Sequence, residues 1–255
     1  MIILLVKLLA APALILVATL VSRRFGQATG GWLVGLPLTS GPIAVLLAVE
    51  QGPRFAQLAA AGSLGGTVAQ AIFATAYVGL AQRWRWPVCL VGASLAFVAS
   101  GLVLGSLALP VPALAGIACV TLAGTLWTIG PPGADATVSA APKWDLPVRM
   151  AVATGLVMLI TAVAPAIGPG SSGLAATFPL FATVLAVFAH RHHGAPAAHG
   201  VLRGLLLGLF GFVGFFATVS VLVTQAGLAA TFTAALAVNL VISAAAYPVL
   251  RSRSD

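Results

Sequence analysis

The chain has few charged residues, and acidic ones are especially scarce. Only 6% of its 255 residues are charged, and Asp and Glu together number four. Soluble proteins carry about 25% charged residues, and a soluble chain could not bury all of the 60% that are hydrophobic here. Paired-carboxylate, Ser-His-Asp, phosphate-loop and Cys-x-x-Cys arrangements do not occur, so we do not expect an enzyme. The composition predicts a membrane protein that crosses the bilayer several times.

Cysteine is scarce as well. Cys89 and Cys119 both lie in apolar runs without the spacing of metal ligands, so we expect two small buried side chains and no disulfide. The histidines are spaced wrongly for two ligands on one helical turn, and no carboxylate or thiol accompanies them. They stand at His190, His192, His193 and His199. We therefore predict no metal site and no cofactor.

Apolar residues come in continuous runs, which favours membrane-spanning α-helices over alternating strands. Nine runs are long enough, at about 2–21, 32–49, 55–80, 87–108, 112–129, 147–166, 174–189, 201–224 and 226–249. With the N-terminus outside, ten of the twelve Lys and Arg residues fall on the cytoplasmic side. This is the charge asymmetry of inner-membrane proteins. It explains the net charge of +8 without nucleic acid, and it predicts a multi-pass protein in contact with the lipid bilayer, with its N-terminus outside and its C-terminus in the cytoplasm.

The second run is interrupted by two prolines. Pro37 and Pro42 enclose Thr39, Ser40 and Gly41. Proline removes a backbone donor and clashes with the preceding turn, so the helix must kink or unwind there. Backbone groups freed in this way are tolerated in a membrane only where protein or a water-filled cavity satisfies them.

A weaker copy of this stretch recurs around Pro179, and it belongs to a longer internal repeat. The segment 5–79 aligns with 147–221 without a gap, and in this alignment Pro37 meets Pro179, Phe73 meets Phe215, and five glycine pairs coincide. The offset between the segments covers an odd number of spans, so the two halves have opposite orientations. We expect an all-α polytopic protein with two inverted four-helix repeats, 1–109 and 146–255, joined by a linking helix and cytoplasmic loop at 110–145.

Inverted repeats with broken helices are found in many secondary transporters, where the breaks hold the site. We therefore expect a transporter or permease for a small solute or ion. The candidate substrate-binding residues are Pro37, Thr39, Ser40, Pro42, Gln70, Thr177, Pro179, Thr183 and Asn239. For Gln70 and Asn239, hydrogen bonding between helices is an equal alternative. Glu50 and His192 are candidates for proton or ion coupling, and the alternative is that both are ordinary residues at helix ends.

Glycines in the third and eighth spans are spaced for close helix packing. Gly62 and Gly66 form one small-xxx-small pattern, and Gly204 and Gly208 form another. Such patterns let two backbones approach closely. They predict that the third span packs against the eighth, or that two protomers pair as a homodimer.

The stretches Leu36-Pro-Leu-Thr-Ser40 and Thr177-Phe-Pro-Leu-Phe-Ala-Thr183 are each followed by a short apolar run and a glycine-containing loop. They resemble the small GlpM-type bacterial inner-membrane proteins. Such a unit would be present twice here, with an additional fifth helix between the copies. The resemblance implies a bacterial inner membrane and a link to envelope polysaccharide production. It supports the alternative of a non-transporting accessory protein that packs against envelope-synthesis enzymes.

Overall fold

The computed structural model describes residues 2–107, 109–132, 144–163 and 177–251, and these ranges are helical apart from short connections. If α2 and α3 are counted as one interrupted helix, the described ranges contain nine helices. The helical segments are α1 (Ile2–Phe25), α2 (Gln27–Gly35), α3 (Ser40–Gln51), α4 (Pro53–Ala81), α5 (Trp86–Ser106), α6 (Val111–Ile129), α7 (Asp145–Val163), α8 (Leu180–His193), α9 (Ala195–Leu222) and α10 (Leu228–Arg251).

Six helices in these ranges are long and apolar enough to cross a membrane. They are Gln27–Gln51, Pro53–Ala81, Trp86–Ser106, Val111–Ile129, Ala195–Leu222 and Leu228–Ala246. The multi-pass membrane protein predicted from composition is thereby supported. The first, sixth and seventh predicted spans coincide in part with α1, α7 and α8. The sixth and seventh also extend into 164–176, outside the described residues.

Two glycines allow the chain to reverse between consecutive helices. Gly52 (φ 87°) separates α3 from α4, and Gly194 (φ 85°) separates α8 from α9. Both residues lie in the left-handed region that side chains disfavour. A proline follows in the first turn of the next helix, at Pro53 and Pro196, where its missing amide costs nothing. The pairs α3–α4 and α8–α9 are therefore connected by turns of the same kind.

Helix α9 lies at the centre of the bundle. It packs against α2, α4, α6, α8 and α10, while α4 also packs against α3, α5 and α6. Most of α9 is buried, including Leu202, Leu206 and Phe216. The predicted contact between the third and eighth spans is present as α4 against α9.

Helices α5, α6 and α10 carry exposed apolar faces on the outside of the bundle. Val91, Val120 and Val241 are 60%, 73% and 70% exposed. A water-soluble protein would not leave such faces uncovered, so these helices face lipid. Cys89 is buried as predicted, but Cys119 is exposed on α6, because its position in the helix points away from the bundle.

Candidate functional site

The interruption predicted at Pro37 is confirmed. Helix α2 ends at Gly35, and α3 begins at Ser40. The amide of Leu38 donates to the carbonyl of Leu36 at 2.8 Å, across Pro37, and the amide of Gly41 donates to the carbonyl of Pro37 at 2.9 Å. Because residue 42 is proline, the carbonyl of Leu38 has no helical donor at that position.

The backbone around Pro179 has the same hydrogen bonds. The amide of Leu180 donates to the carbonyl of Phe178 at 2.7 Å, and the amide of Thr183 donates to the carbonyl of Pro179 at 2.8 Å. Pro179 has φ −75° and ψ 57°, the geometry of an inverse γ-turn. In the alignment of the internal repeat, each bond corresponds to its counterpart at Pro37. Residues 164–176, which precede this second proline turn, lie outside the described residues.

Glycines bring each proline turn close to a long helix of the other half of the chain. A Cβ atom at Gly35 would lie 2.9 Å from Cα of Gly208 on α9, and one at Gly66 on α4 would lie 2.6 Å from Oγ1 of Thr177. Both distances are too short for a real side chain, so these positions require glycine. In the alignment of the internal repeat, Gly35 corresponds to Thr177 and Gly66 corresponds to Gly208. The two contacts therefore correspond under exchange of the halves.

Two phenylalanines that correspond in the internal repeat pack on the turns. Cζ of Phe215 on α9 lies 3.4 Å from the position of a Cβ at Gly41. The ring of Phe73 on α4 meets that of Phe178 edge to face, with centroids 5.7 Å apart. Each proline turn is thus covered by an aromatic ring from the long helix of the other half.

The predicted substrate-binding residues at the turns differ in burial. Pro37, Pro179 and Thr183 are buried, Thr39, Ser40 and Thr177 are half-buried, and Pro42 is exposed. Thr183 is only 4% exposed. Within the described part of the chain its Oγ1 has no hydrogen-bond partner. A buried hydroxyl is normally paired, so Thr183 offers an unused polar group beside Pro179.

The other two predicted residues lie elsewhere in the bundle. Asn239 on α10 accepts a hydrogen bond from Ser243 at 3.3 Å, and its Oδ1 lies against Gly211 of α9. Asn239 therefore lies in the α9–α10 contact, while its hydrogen bond is with a residue of its own helix. Gln70 is buried within α4 at 7% exposure.

The glycines predicted to join α4 and α9, or two protomers, have a different neighbour. A Cβ at Gly204 would collide with the carbonyl of Ala28, and one at Gly208 with the carbonyl of Trp32. Both contacts are with α2, so this face of α9 is occupied within the protomer. The homodimer through glycine-rich helices stays a prediction.

Glu50 and His192 are not paired with each other. Glu50 is exposed at the end of α3, and among the described residues its carboxylate forms no ion pair. His192 Nε2 lies 3.2 Å from Oδ1 of Asp145. The acidic partner of this histidine is thus a residue that we expected in the connecting loop 110–145.

Asp145 is the first residue of α7 and is fully buried. Its Oδ2 accepts a hydrogen bond from Nη2 of Arg23 at 3.0 Å, and Nε of Arg149 lies 2.9 Å from the same oxygen. Nε of Arg149 and Nε2 of His192 are within ion-pair distance of Asp145 but are not aligned for hydrogen bonds. The guanidinium of Arg149 also lies over the ring of Phe188, 4.9 Å from its centroid. We call Arg23, Asp145, Arg149 and His192 the Asp145 cluster.

Asp145 is the first residue of α7 instead of part of the predicted loop, and its partners come from three helices. Arg23 precedes it by 122 residues, a distance over which sequence pattern carries no signal. One local signal was available. Asp145 and Arg149 have the i,i+4 spacing of a helical ion pair, and an acidic residue is favoured in the first turn of a helix.

No protein-family model, curated protein or solved structure matches the chain. The resemblance to GlpM-type proteins therefore stays a prediction.

Proposed function

We propose that the protein is an inverted-repeat transporter or permease for a small solute, with its site between the two proline turns. The proposal includes nine spans, two four-helix repeats of opposite orientation, and a linking helix between them. The observation that carries it is the recurrence of one γ-turn, at Pro37 and at Pro179, with the same two hydrogen bonds. The contacts of the turns with the long helices α4 and α9 recur as well.

The exchange of contacts is the physical reason for relating the halves by symmetry. Suppose that a two-fold axis relates the halves. Any contact between a residue of the first half and a residue of the second half must then occur a second time, between the two equivalent residues. Two contacts meet this condition: Gly35 lies against Gly208, and Thr177 lies against Gly66. Two halves that were merely fused have no reason to repeat a contact in this way. The odd number of predicted helices in the offset then supports opposite membrane orientations.

The chemistry of the turns suits a small polar solute or ion. The carbonyl of Leu38 lacks a helical donor, Thr39 and Ser40 are half-buried, and the hydroxyl of Thr183 is unpaired in the described structure. Transporters of this architecture bind substrate through such half-helix ends and unwound backbone. The γ-turns are also short enough to act as hinges when one repeat moves against the other.

Cysteine accessibility tests whether the turns line a cavity. Thr39→Cys and Thr183→Cys would be made separately in a protein with Cys89 and Cys119 replaced. Each would be treated with a membrane-impermeant thiol reagent from either side of oriented vesicles. We expect labelling from both sides, because alternating access exposes a site to each side in turn.

Ala93→Cys on α5 is the matched control, because Ala93 is fully buried and belongs to neither turn. It should stay unlabelled. If positions 39 and 183 are equally unreactive from both sides, the turns are dry packing kinks and transport is rejected. Purified protein in liposomes would then be offered a panel of small solutes. Failure to bind or move any of them would count against the proposal independently.

The alternative is an accessory membrane protein of envelope polysaccharide synthesis. The exposed face of α6 favours it, since Gly116, Cys119 and Gly124 are small residues on the outside of the bundle. Small residues let another helix approach closely. Copurification of a stable partner in mild detergent, lost when Gly116 and Gly124 are replaced by leucine, would support this function. A monodisperse protein without a partner would oppose it.

A further inference from the structure

A cleft of about 630 Å³ lies where α5 begins and where α8 is joined to α9. Its lining residues are Arg85, Trp86, Pro87, His190, Arg191 and Gly194. None of these six residues is acidic. Small-molecule sites occupy about 300–1,000 Å³, so the cleft is large enough for a small ionic molecule or headgroup. It is separate from the proline turns and does not depend on the proposed transport.

The two arginines of the cleft carry charge that no described residue neutralises. Arg85 and Arg191 are exposed, and within the described ranges neither forms an ion pair. Asp145 of α7, which contacts α8 at His192, also contacts Arg23 and Arg149, so it is already engaged with other cations. The cleft is therefore left with a positive charge.

Two helix N-termini add to this charge. Arg85 is the N-cap of α5 and Gly194 is the N-cap of α9, and neither cap forms a side-chain hydrogen bond to the first turn. The N-terminus of a helix carries a partial positive charge, although Pro87 and Pro196 each remove one amide from the first turn. Both helix N-termini therefore favour negatively charged groups, as the two arginines do.

His190 forms one wall of the cleft, and its contacts with Tyr77 hold its ring in place. Its Nδ1 lies 3.3 Å from the hydroxyl of Tyr77, and the two rings meet edge to face at 5.9 Å. Partial burial lowers the pKa of His190, which favours the neutral ring, and the imidazole offers hydrogen bonding. Trp86 supplies an amphipathic ring of the kind that lies at the headgroup level of a membrane.

We propose that this cleft binds a phosphate-bearing group, with Arg85 and Arg191 contacting its charged oxygens. Guanidinium groups pair with phosphate through two parallel N–H···O bonds. The group is either the headgroup of an anionic phospholipid or a free phosphate compound. Both present the same oxygens, and the experiment below separates them.

The test uses the full-length protein purified in neutral detergent. In one arm, native mass spectrometry counts bound phosphatidylglycerol, with phosphatidylcholine as the lipid that lacks net charge. In the other arm, inorganic phosphate is titrated in a calorimeter. The variant is Arg85→Ala with Arg191→Ala. Its control is Arg24→Ala with Arg54→Ala, which removes two exposed arginines outside the cleft.

We expect the wild type and the control to bind one of the two ligands, and the cleft variant to bind it at least about tenfold more weakly. Binding in the lipid arm alone identifies a headgroup, and binding in the phosphate arm alone identifies a soluble compound. Arg85→Lys with Arg191→Lys keeps the charge and should restore part of the affinity. Equal binding by all variants, or none by the wild type in either arm, overturns the proposal.

Discussion

At the scale of single residues, Asp145 is the buried carboxylate of the described chain. Glu50 is exposed, whereas the side chain of Asp145 is 0% exposed and contacts two arginines and a histidine. An isolated buried charge costs several kcal/mol, and it is tolerated only when it is paired. The Asp145 cluster connects α1, α7 and α8. Its charges therefore hold together helices that are distant in sequence.

We predict that Asp145→Asn lowers the free energy of unfolding by about 3 kcal/mol. The substitution keeps the shape but leaves Arg149, which is 4% exposed, without a compensating charge. Removing one member of a buried ion pair typically costs about 3–5 kcal/mol, and we expect the lower end because Arg23 reaches solvent. Thermal unfolding in detergent measures the loss. Glu50→Gln, which removes an exposed carboxylate, should change stability by less than about 0.5 kcal/mol, and equal effects would contradict the prediction.

A second residue-scale prediction concerns the unpaired hydroxyl of Thr183. Thr183→Val should raise the free energy of unfolding by about 1 kcal/mol, because a buried hydroxyl without a partner is replaced by a methyl group. If the hydroxyl binds solute, the KM for transport rises up to about tenfold in the same variant. Stability and liposome flux are measured in parallel.

Thr67→Val is the matched control for this prediction. Thr67 is equally buried, but its hydroxyl donates to the carbonyl of Ser63 at 3.0 Å. Its loss should lower stability and leave KM unchanged. If both variants lose stability alike, the hydroxyl of Thr183 has a partner and is not held ready for a ligand.

At the scale of helices, the break at Pro37 could be predicted from sequence but the contact surfaces could not. Proline acts on its own helix through a missing amide and a local clash, so the interruption between α2 and α3 follows from residues 36–42. The glycines of α9 were recognised as a packing face, yet α2 rather than α4 occupies the face at Gly204 and Gly208. The same spacing fits any close helix, and only the folded bundle selects the neighbour. The Asp145 cluster was missed for the same reason.

We predict that Gly35→Ala weakens the contact between α2 and α9. The new Cβ would lie 2.5 Å from the carbonyl oxygen of Leu205 and 2.9 Å from Cα of Gly208, and backbone atoms cannot move aside as a side chain can. Overpacking of this kind costs about 1–3 kcal/mol, which thermal unfolding would detect. Gly116→Ala on the exposed face of α6 meets no atom within 4 Å and should raise stability by about 0.5–1 kcal/mol. A neutral Gly35→Ala would mean that the two backbones lie farther apart.

At the scale of the whole molecule, the number of spans between the halves decides the kind of symmetry. Equivalent positions of the two halves lie on opposite sides of the membrane if an odd number of spans separates them, and on the same side if the number is even. The six spans found by length and composition do not fix this parity, because α1, α7 and α8 are not among them. The ends of α4 and α9 can report on it directly.

Gln82 and Thr224 are exposed, equivalent positions just beyond α4 and α9. We predict that Gln82→Cys is labelled by an impermeant thiol reagent only from the cytoplasmic side and Thr224→Cys only from the outside, in a protein with Cys89 and Cys119 replaced. Gln51→Cys at the end of α3 should behave like Thr224→Cys, since both ends are predicted to be external. Labelling of Gln82 and Thr224 from one side would make the halves parallel. The corresponding contacts at Gly35 and Gly66 would then have to arise from a symmetry other than an inverted repeat. The proposed substrate site between the proline turns, which depends on inversion, would be rejected.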